Sequence, residues 1–173
     1  MAYTTIDDPS AYFQTALYTG NGGTLNIVND GNLDLQPDWV WLKDRDAANY
    51  HALFDTNRGA NIVLHSNDTL AEITRTNALT SFNTDGFSLG ANGNENTSSN
   101  GYVAWQWKAN GGTTSSNSDG SITSTVQANT TAGFSIVTYT GNSTAGATVG
   151  HGLGVVPNWI IVKDRDAAKN WVN

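Results

Sequence analysis

The densest cluster of ionisable side chains in this chain occurs twice, as Lys43-Asp44-Arg45-Asp46 and again at residues 163–166. Two carboxylates so close together could supply oxygen ligands to a calcium ion, and the guanidinium could hold an anionic sugar. Calcium prefers about six to eight oxygens, whereas this spacing supplies only a pair. The pattern therefore favours a charged turn after a buried strand, with Arg45 paired to a neighbouring aspartate. Calcium binding by Asp44 or Asp46 stays open at this stage.

No other constellation of reactive side chains is visible. The chain has no cysteine, and its histidines at positions 51, 65 and 151 lack the spacing of metal ligands. Its one Gly-x-Ser-x-Gly pattern, at residues 86–90, overlaps the predicted strand at 86–89 and is not followed by a predicted helix, so it is not the nucleophile elbow of a hydrolase. Glu72 and Glu95 are its only glutamates, and a glycosidase needs two carboxylates that flank one bond. The sequence thus predicts no catalytic residue, no metal site, no cofactor and no enzymatic activity.

Tryptophan is unusually frequent, and five of the six indoles are predicted to be structural residues, in the core or between sheets. Trp39, Trp41, Trp105 and Trp107 occupy alternating positions of predicted strands. Trp159 is the repeat of Trp39. Within residues 103–108, the alternation predicts that the two indoles point to the core side. The alternative is a set of exposed platforms on which sugars stack. Trp171, near the end of the chain, is predicted to contact a partner.

The polar segment at residues 91–100 is rich in hydrogen-bonding groups and predicts a long loop. Loops of this kind on a rigid β scaffold often bind ligands or other proteins, so their polar side chains are candidate contacts for a ligand or partner. The candidates are Asn92, Asn94, Glu95, Asn96 and Asn100. The alternative is a plain solvated connection.

The cationic and acidic cluster belongs to a longer repeat. Residues 37–48 return as residues 157–168, and the Tyr-Thr-Gly-Asn at residues 18–21 returns at residues 139–142. Two blocks that recur in the same order indicate a copied supersecondary unit. We therefore predict a complete module at residues 1–112, a Gly/Ser/Thr-rich linker at 113–120 and an incomplete second copy at 121–173.

Short apolar runs separated by glycine and asparagine turns predict an all-β fold. Only 13% of the residues are charged, and no window shows a sustained helical period. The predicted strands are residues 12–19, 24–28, 38–43, 50–55, 61–65, 86–89, 102–108, 121–128, 134–140 and 159–163. A series of short strands between turns is typical of a β-sandwich.

Charge and hydropathy restrict the partners. The net charge is −7 and the eight lysines and arginines form no cluster, which argues against nucleic acid as a partner. The N-terminal residues 1–8 show no signal peptide, and no apolar stretch approaches the ~20 residues that a membrane span needs. We expect synthesis in the cytoplasm and no membrane insertion.

Several segments are similar to one group of proteins. Residues 84–90, followed by Tyr-Val-Ala-Trp-Gln-Trp-Lys-Ala at 102–109, resemble the end of a module in virion proteins of tailed bacteriophages. Residues 133–141, 149–154 and 157–163 resemble the start of the next module in the same proteins, which are often labelled tail fibre or structural protein. The resemblance implies a concanavalin A-like jelly-roll β-sandwich, as in laminin-G and legume-lectin domains.

Three functional hypotheses follow from this resemblance and from the repeat. The first is a virion structural protein that serves as a tail fibre or receptor-binding appendage and contacts a host cell-surface glycan. The second is a head-decoration or tail-anchoring protein that binds only other virion subunits. The third, which the absence of a signal peptide disfavours, is a secreted carbohydrate-binding module. By analogy with phage fibres, we expect a homo-oligomer located in the virion.

Overall fold

The structure, a computed structural model, describes residues 6–173. It contains a short 3-10 helix at Pro9–Ala11 and strands that pair antiparallel within each sheet. The strands are β1 (Phe13–Thr19), β2 (Leu25–Ile27), β3 (Trp39–Asp44), β4 (Ala52–Asp55), β5 (Ile62–His65), β6 (Ile73–Thr74), β7 (Leu79–Phe82), β8 (Phe87–Leu89), β9 (Gly101–Trp107), β10 (Ser115–Asn117), β11 (Ser124–Asn129) and β12 (Phe134–Tyr139). The all-β prediction is confirmed. Residues 1–5, which open the predicted first module and the stretch examined for a signal peptide, lie outside the described residues.

The larger sheet contains six strands in the order β1-β9-β3-β4-β5-β6. Strand β3 lies between β9 and β4, so both of its edges are hydrogen-bonded. Its indoles meet those of β9 directly, with Trp39 opposite Trp107 and Trp41 opposite Trp105. Cross-strand aromatic pairs of this kind stabilise a sheet and help to fix its register.

The smaller sheet, β2-β8-β7, packs against one face of the larger sheet. The core between them is aliphatic and aromatic, with eleven buried members: Ile27, Val40, Leu42, Ala52, Phe54, Val63, Ala78, Leu79, Phe87, Leu89 and Ala104. The two sheets therefore form a sandwich-like arrangement. The turn before β8 needs Gly86, because its φ is +83° and a Cβ there would lie 2.0 Å from the carbonyl oxygen of Ile27.

The four strand indoles lie on the opposite face of the larger sheet from this core. The core position is therefore wrong for them, as is the prediction that Trp105 and Trp107 point to the core side, whereas the predicted alternative of a position between sheets is not contradicted. In β9, Tyr102, Ala104 and Gln106 are fully buried, whereas Trp105 and Trp107 are only half-buried. Side chains alternate across a strand, and the space between the sheets is filled by aliphatic and phenyl side chains and by Gln106. The Gln106 amide nitrogen donates to Asn29 Oδ1, while Gln106 Oε1 has no partner among the described residues.

A third sheet, β10-β11-β12, packs on the indole-bearing face at one end. The Phe134 ring lies 5.8 Å from the Trp39 ring and 6.3 Å from the Trp107 ring, measured between centroids. The Gln127 amide nitrogen donates to Thr56 Oγ1 and Asn57 Oδ1, both at 2.6 Å. The row of indoles is thus partly enclosed between two sheets.

Every strand predicted before residue 141 is present, with ends that differ by a few residues. Strands β6, β7 and β10 were not predicted. β10 lies inside the predicted linker at residues 113–120 and pairs with β11, so this segment is not a free connection. Its serines and asparagine show no apolar alternation, and the pairing uses only their backbone. The boundary between the predicted modules stays a prediction.

Residues 159–163, the predicted final strand, do not form one. Within residues 140–173, β pairing is confined to two isolated bridges, from Val149 to Ile122 and from Val162 to Val172. None of the described residues forms a helix long and apolar enough to cross a membrane.

The buried carboxylate of Asp38 joins the start of β3 to the turn after β9. Asp38 is fully buried, and its Oδ2 accepts hydrogen bonds from the backbone nitrogens of Ala109 and Gly111. Its Oδ1 accepts from the backbone nitrogen of Gly112 and from the Thr56 hydroxyl. A carboxylate with four donors fixes the chain where it leaves the larger sheet.

We expect Asp38→Asn to lower the free energy of unfolding by about 2–3 kcal/mol, because the amide replaces a charged acceptor and turns a donor toward backbone N–H groups. Urea unfolding measures this change. The control is Asp34→Asn, at an exposed aspartate, which should change the free energy by less than about 0.5 kcal/mol. Equal effects of the two substitutions would contradict the anchoring role of Asp38.

Candidate functional site

The loop predicted to carry recognition is largely built into the fold. Asn96 is fully buried, and its amide nitrogen donates to Asn21 Oδ1, to the carbonyl of Gly23 and to the carbonyl of Gly90. Its Oδ1 accepts from the backbone nitrogen of Asn21 at 2.8 Å. The prediction that Asn96 contacts a ligand is wrong, because the side chain satisfies the turn at residues 20–23 instead.

Glu95 is also buried, with 2% of its surface exposed, which corrects its prediction as a contact residue. One carboxylate oxygen lies 2.7 Å from Arg75 Nη1, while Oε2 has no partner among the described residues. Burial raises the pKa of the Glu95 carboxyl, and the Arg75 charge opposes this only in part. The Tyr18 hydroxyl donates to the Glu95 carbonyl, so the backbone is held as well.

The remaining loop candidates, Asn92, Asn94 and Asn100, are half-buried. The side chain of Asn92 accepts from the backbone nitrogen of Asn94, and the Asn100 amide donates to Asp44 Oδ2 at 2.9 Å. Their contact with a ligand stays a prediction, but two of the three side chains already serve the loop and the neighbouring turn.

The repeated Lys-Asp-Arg-Asp segment forms a turn that is organised by its first aspartate. Asp44 Oδ1 accepts from the backbone nitrogens of Asp46 and Ala47, and Oδ2 accepts from the amides of Asn49 and Asn100. Burial raises the pKa of the Asp44 carboxyl, but these hydrogen bonds outweigh it and hold the pKa below its usual value. Both oxygens are thus engaged by protein donors rather than presented to an ion.

The other charged groups of this turn are placed differently from the expectation. Asp46 Oδ2 accepts from the backbone nitrogen of Gly101, whereas Arg45 is exposed and makes no ion pair with a described aspartate or glutamate. The expected pairing of Arg45 is therefore wrong. No group of three or more potential metal-ligating side chains occurs within residues 6–173.

The second copy of the segment has the same internal geometry. Asp164 Oδ1 accepts from the backbone nitrogens of Asp166 and Ala167, as Asp44 does from residues 46 and 47. The Lys163 ammonium donates to the carbonyls of residues 164 and 167, as Lys43 does to those of residues 44 and 47. Identical local sequence therefore gives an identical local turn, although the surroundings differ.

The second copy also repeats the first rung of the hairpin that follows the turn. In the first copy Leu42 pairs with Ala52, and in the second Val162 pairs with Val172, the residue at the corresponding position. The Val162 and Val172 backbones exchange both hydrogen bonds, at 2.8 and 3.0 Å.

A network of four charged side chains attaches this second hairpin to the larger sheet. Arg165 donates twice to the Glu72 carboxylate, both bonds at 2.8 Å, and the Glu72 backbone nitrogen donates to the Arg165 carbonyl. The buried Arg58 lies 3.7 Å from Glu72 and pairs with Asp55 at 2.5 Å. Burial raises the pKa of Glu72, but Arg165 and Arg58 together hold it below its usual value. Carboxylates and guanidiniums alternate along this network, so each carboxylate is paired with an arginine, which makes it a docking contact rather than a reactive site.

Sequence reasoning missed this network. Arg165 copies Arg45, which suggests an equivalent role, yet only Arg165 has a glutamate within reach. The sequence offered one indication of such a pair: with only two glutamates in the chain, each was a candidate partner for an arginine.

Trp171, predicted to contact a partner, contacts its own chain. The side chain is half-buried, and its indole nitrogen donates to the His65 carbonyl at 2.8 Å. His65 itself is 4% exposed and stacks on Tyr50 with ring centroids 4.8 Å apart. A further partner for Trp171 stays a prediction.

Trp159, predicted in the core, is 66% exposed, which corrects that prediction. It belongs to an exposed apolar segment, residues 155–162, which contains Val155, Val156 and Ile160 and no ionisable side chain. The equivalent Trp39 is half-covered by Trp107 and Phe134, and no such neighbours flank Trp159. Six of the exposed large hydrophobic residues fall within this segment, and we call it the exposed β3 copy.

One comparison with known proteins gives a result. A family model described as "Domain of unknown function (DUF7483)" matches residues 8–173, and the chain therefore belongs to this family. No curated protein and no solved structure matches the chain.

We expect Arg165→Ala to weaken the docking of the C-terminal hairpin by about 1 kcal/mol, because the pair it removes is bidentate but partly exposed. Hydrogen exchange should show faster exchange at Val162 and Val172, whose amides are bonded to each other. The matched control is Arg45→Ala, the same motif position without an ion pair, which should leave this exchange unchanged. Equal exchange in the two variants would contradict the proposed attachment.

A second expectation concerns acid stability. Burial, aided by the charge of Arg75, lowers the pKa of His65 to about 4. Between about pH 6.5 and 4 the unfolded chain therefore binds more protons than the folded chain. The free energy of unfolding should fall by about 2–3 kcal/mol as the pH is lowered through that range. Denaturant titrations at a series of pH values measure this slope, and His65→Asn should reduce it. An unchanged slope in the variant would show that His65 is not responsible.

Proposed function

We propose that this member of the DUF7483 family is a structural protein of a tailed-bacteriophage virion, and more specifically a tail fibre or receptor-binding appendage. Its sheets would belong to a concanavalin A-like jelly roll, with residues 121–173 contributing the opening strands of a second, similar module. We propose a location in the virion after synthesis in the host cytoplasm. Other virion proteins are the proposed partners, together with further copies of the chain and a host cell-surface glycan.

The observation that carries this proposal is the repetition of one hairpin in two surroundings. The turn hydrogen bonds at Asp44 recur at Asp164, and the pairing of Leu42 with Ala52 recurs between Val162 and Val172. The second hairpin is held to the first unit by the Glu72–Arg165 pair. Units that repeat and dock directly on one another suit an elongated appendage, in which each module rests on its neighbour.

The resemblance to phage virion proteins, which rests on the strand and turn segments quoted above, supplies the virion context. The buried polar side chains form hydrogen bonds within the chain, as Asp38, Asp44 and Asn96 show. Many internal hydrogen bonds favour a rigid structural component. Trp159, 66% exposed, offers an indole face on which a sugar ring could stack.

One observation favours the second candidate function, a head-decoration or tail-anchoring protein that binds only virion subunits. The exposed β3 copy is apolar and free of charge, which is more typical of a protein-binding surface than of a sugar-binding one. The two candidate functions share the virion and differ in location and partner.

Immunogold electron microscopy of particles from the phage that encodes this chain tests the proposal. We expect label on the tail fibres, and we expect Fab fragments against the chain to slow adsorption to host cells, with an unrelated Fab as control. Label on the head or at the tail attachment point, with normal adsorption, would select the second candidate function. Absence of the chain from purified particles would contradict both.

A further inference from the structure

The dipeptide Asn-Gly occurs four times in the chain, at residues 21–22, 92–93, 100–101 and 110–111. This dipeptide can modify itself, because glycine has no Cβ to hinder the approach of its nitrogen to the asparagine side chain. The glycine nitrogen loses its proton to water and bonds to Cγ, the side-chain nitrogen leaves as ammonia, and a succinimide ring results. Water then opens the ring and gives aspartate or isoaspartate, in which the main chain runs through the side-chain carboxyl.

Three of the four pairs are held by hydrogen bonds that oppose this reaction. Each of their glycine nitrogens donates within the chain: Gly22 to the Asn96 carbonyl at 2.9 Å, Gly101 to Asp46 Oδ2 at 2.6 Å and Gly111 to Asp38 Oδ2 at 2.8 Å. Such a nitrogen must break its hydrogen bond before it can lose the proton and attack. Where the acceptor is a carboxylate, its charge further disfavours the negatively charged nitrogen.

The side-chain nitrogens of the same three asparagines, which have to leave as ammonia, are held as well. They donate to acceptors close by: Asn21 to the Thr24 carbonyl at 3.0 Å, Asn100 to Asp44 Oδ2 at 2.9 Å and Asn110 to the Thr113 carbonyl at 2.9 Å. The fold thus holds both the attacking and the leaving nitrogen, and these bonds have to open locally before the ring can close.

The fourth pair, Asn92-Gly93, lacks both restraints. Within the described residues, neither the exposed Gly93 nitrogen nor the side-chain nitrogen of Asn92 donates a hydrogen bond. Asn92 Oδ1 accepts from the backbone nitrogen of Asn94 at 2.9 Å. This bond stabilises the negative charge that develops on Oδ1 as the nitrogen attacks Cγ. The attacking and leaving nitrogens are therefore free, and the carbonyl between them is polarised.

We propose that Asn92 is a site of spontaneous conversion to aspartate and isoaspartate in the folded protein, and that the fold protects the other three Asn-Gly pairs. Each conversion adds a negative charge to a chain whose net charge is already −7. Isoaspartate also lengthens the main chain by a methylene group. This inference depends on the loop at residues 91–100 and not on a virion location.

The position of Asn92 gives the modification a structural consequence. Its backbone nitrogen donates to the Asn77 carbonyl and its carbonyl accepts from the Asn96 nitrogen, both at 2.9 Å. The Asn96 side chain in turn holds the turn at residues 20–23, through Asn21 Oδ1 and the Gly23 carbonyl. A methylene group inserted at residue 92 displaces the carbonyl that binds Asn96, so isoaspartate loosens the loop and the turn together.

Peptide mapping by mass spectrometry, after incubation of the folded full chain at mildly alkaline pH, tests the proposal. We expect aspartate and isoaspartate to accumulate at residue 92 about tenfold faster than at residues 21, 100 and 110, because a bonded amide reacts only when it opens. In concentrated urea, where the fold is lost, the four sites should react at similar rates. Equal rates in the folded chain, an equally large preference for residue 92 in urea, or aspartate without isoaspartate would each overturn the proposal.

Two substitutions test the role of the hydrogen bonds. Asp46→Ala removes the acceptor of the Gly101 nitrogen, so it should raise the rate at Asn100 about threefold and leave the rate at Asn92 unchanged. An unchanged rate at Asn100 would show that bonding of the glycine nitrogen does not decide the site.

Asn92→Gln is the matched control for the consequence, because the longer side chain forms the corresponding ring far more slowly. Incubation should speed hydrogen exchange at the Asn96 amide in the original chain and leave it unchanged in this variant. Equal exchange before and after conversion of Asn92 would contradict the loosening of the loop.

Discussion

A strand of the β3 type is stable only between two neighbours, and most features of this protein follow from that constraint. In the larger sheet, β9 and β4 satisfy both edges of β3, while the smaller sheet covers Val40 and Leu42 and the opposite face carries the indoles. Burying backbone groups without partners is costly, so a central strand needs both edges paired before its apolar side chains can be removed from water. The second copy has one edge paired, and its side chains remain exposed.

The attachment of the second copy shows which interactions replace the missing neighbour. Arg165 and Glu72 form a bidentate ion pair, Trp171 donates to the His65 carbonyl, and β12 places Phe134 against the indole row. These contacts hold the second copy to the first unit through its turn and through Trp171. The apolar residues 155–162 remain exposed although the residues that follow them are attached.

The strand tryptophans serve as the interface between layers in this fold, whereas Phe54 and Phe87 lie in its core. The Trp39 and Trp107 rings lie 4.7 Å apart between centroids, and Trp41 donates its indole N–H to His51 Nδ1 at 3.1 Å. Indoles combine a large apolar surface with a polar N–H group, and they suit a face that is half-covered and still reachable by water. The interior between the sheets holds aliphatic side chains together with Phe54 and Phe87, and the Gln106 amide donates to Asn29 Oδ1 at its margin.

The sequence by itself determined the all-β class, the repeat and most strand positions before residue 141, because alternation, turn residues and copied blocks are local signals. It also determined the backbone geometry of the Lys-Asp-Arg-Asp turn, since Asp44 Oδ1 and Asp164 Oδ1 accept from backbone nitrogens two and three residues further along. Only the tertiary structure decided which face of β9 points inward, that Glu95 and Asn96 are buried, that Trp159 is exposed and that Arg165 rather than Arg45 finds a glutamate. Each of these depends on a partner distant in sequence (Asn29, Arg75, Asn21 and Glu72 among them), and local patterns carry no information about which distant segments meet.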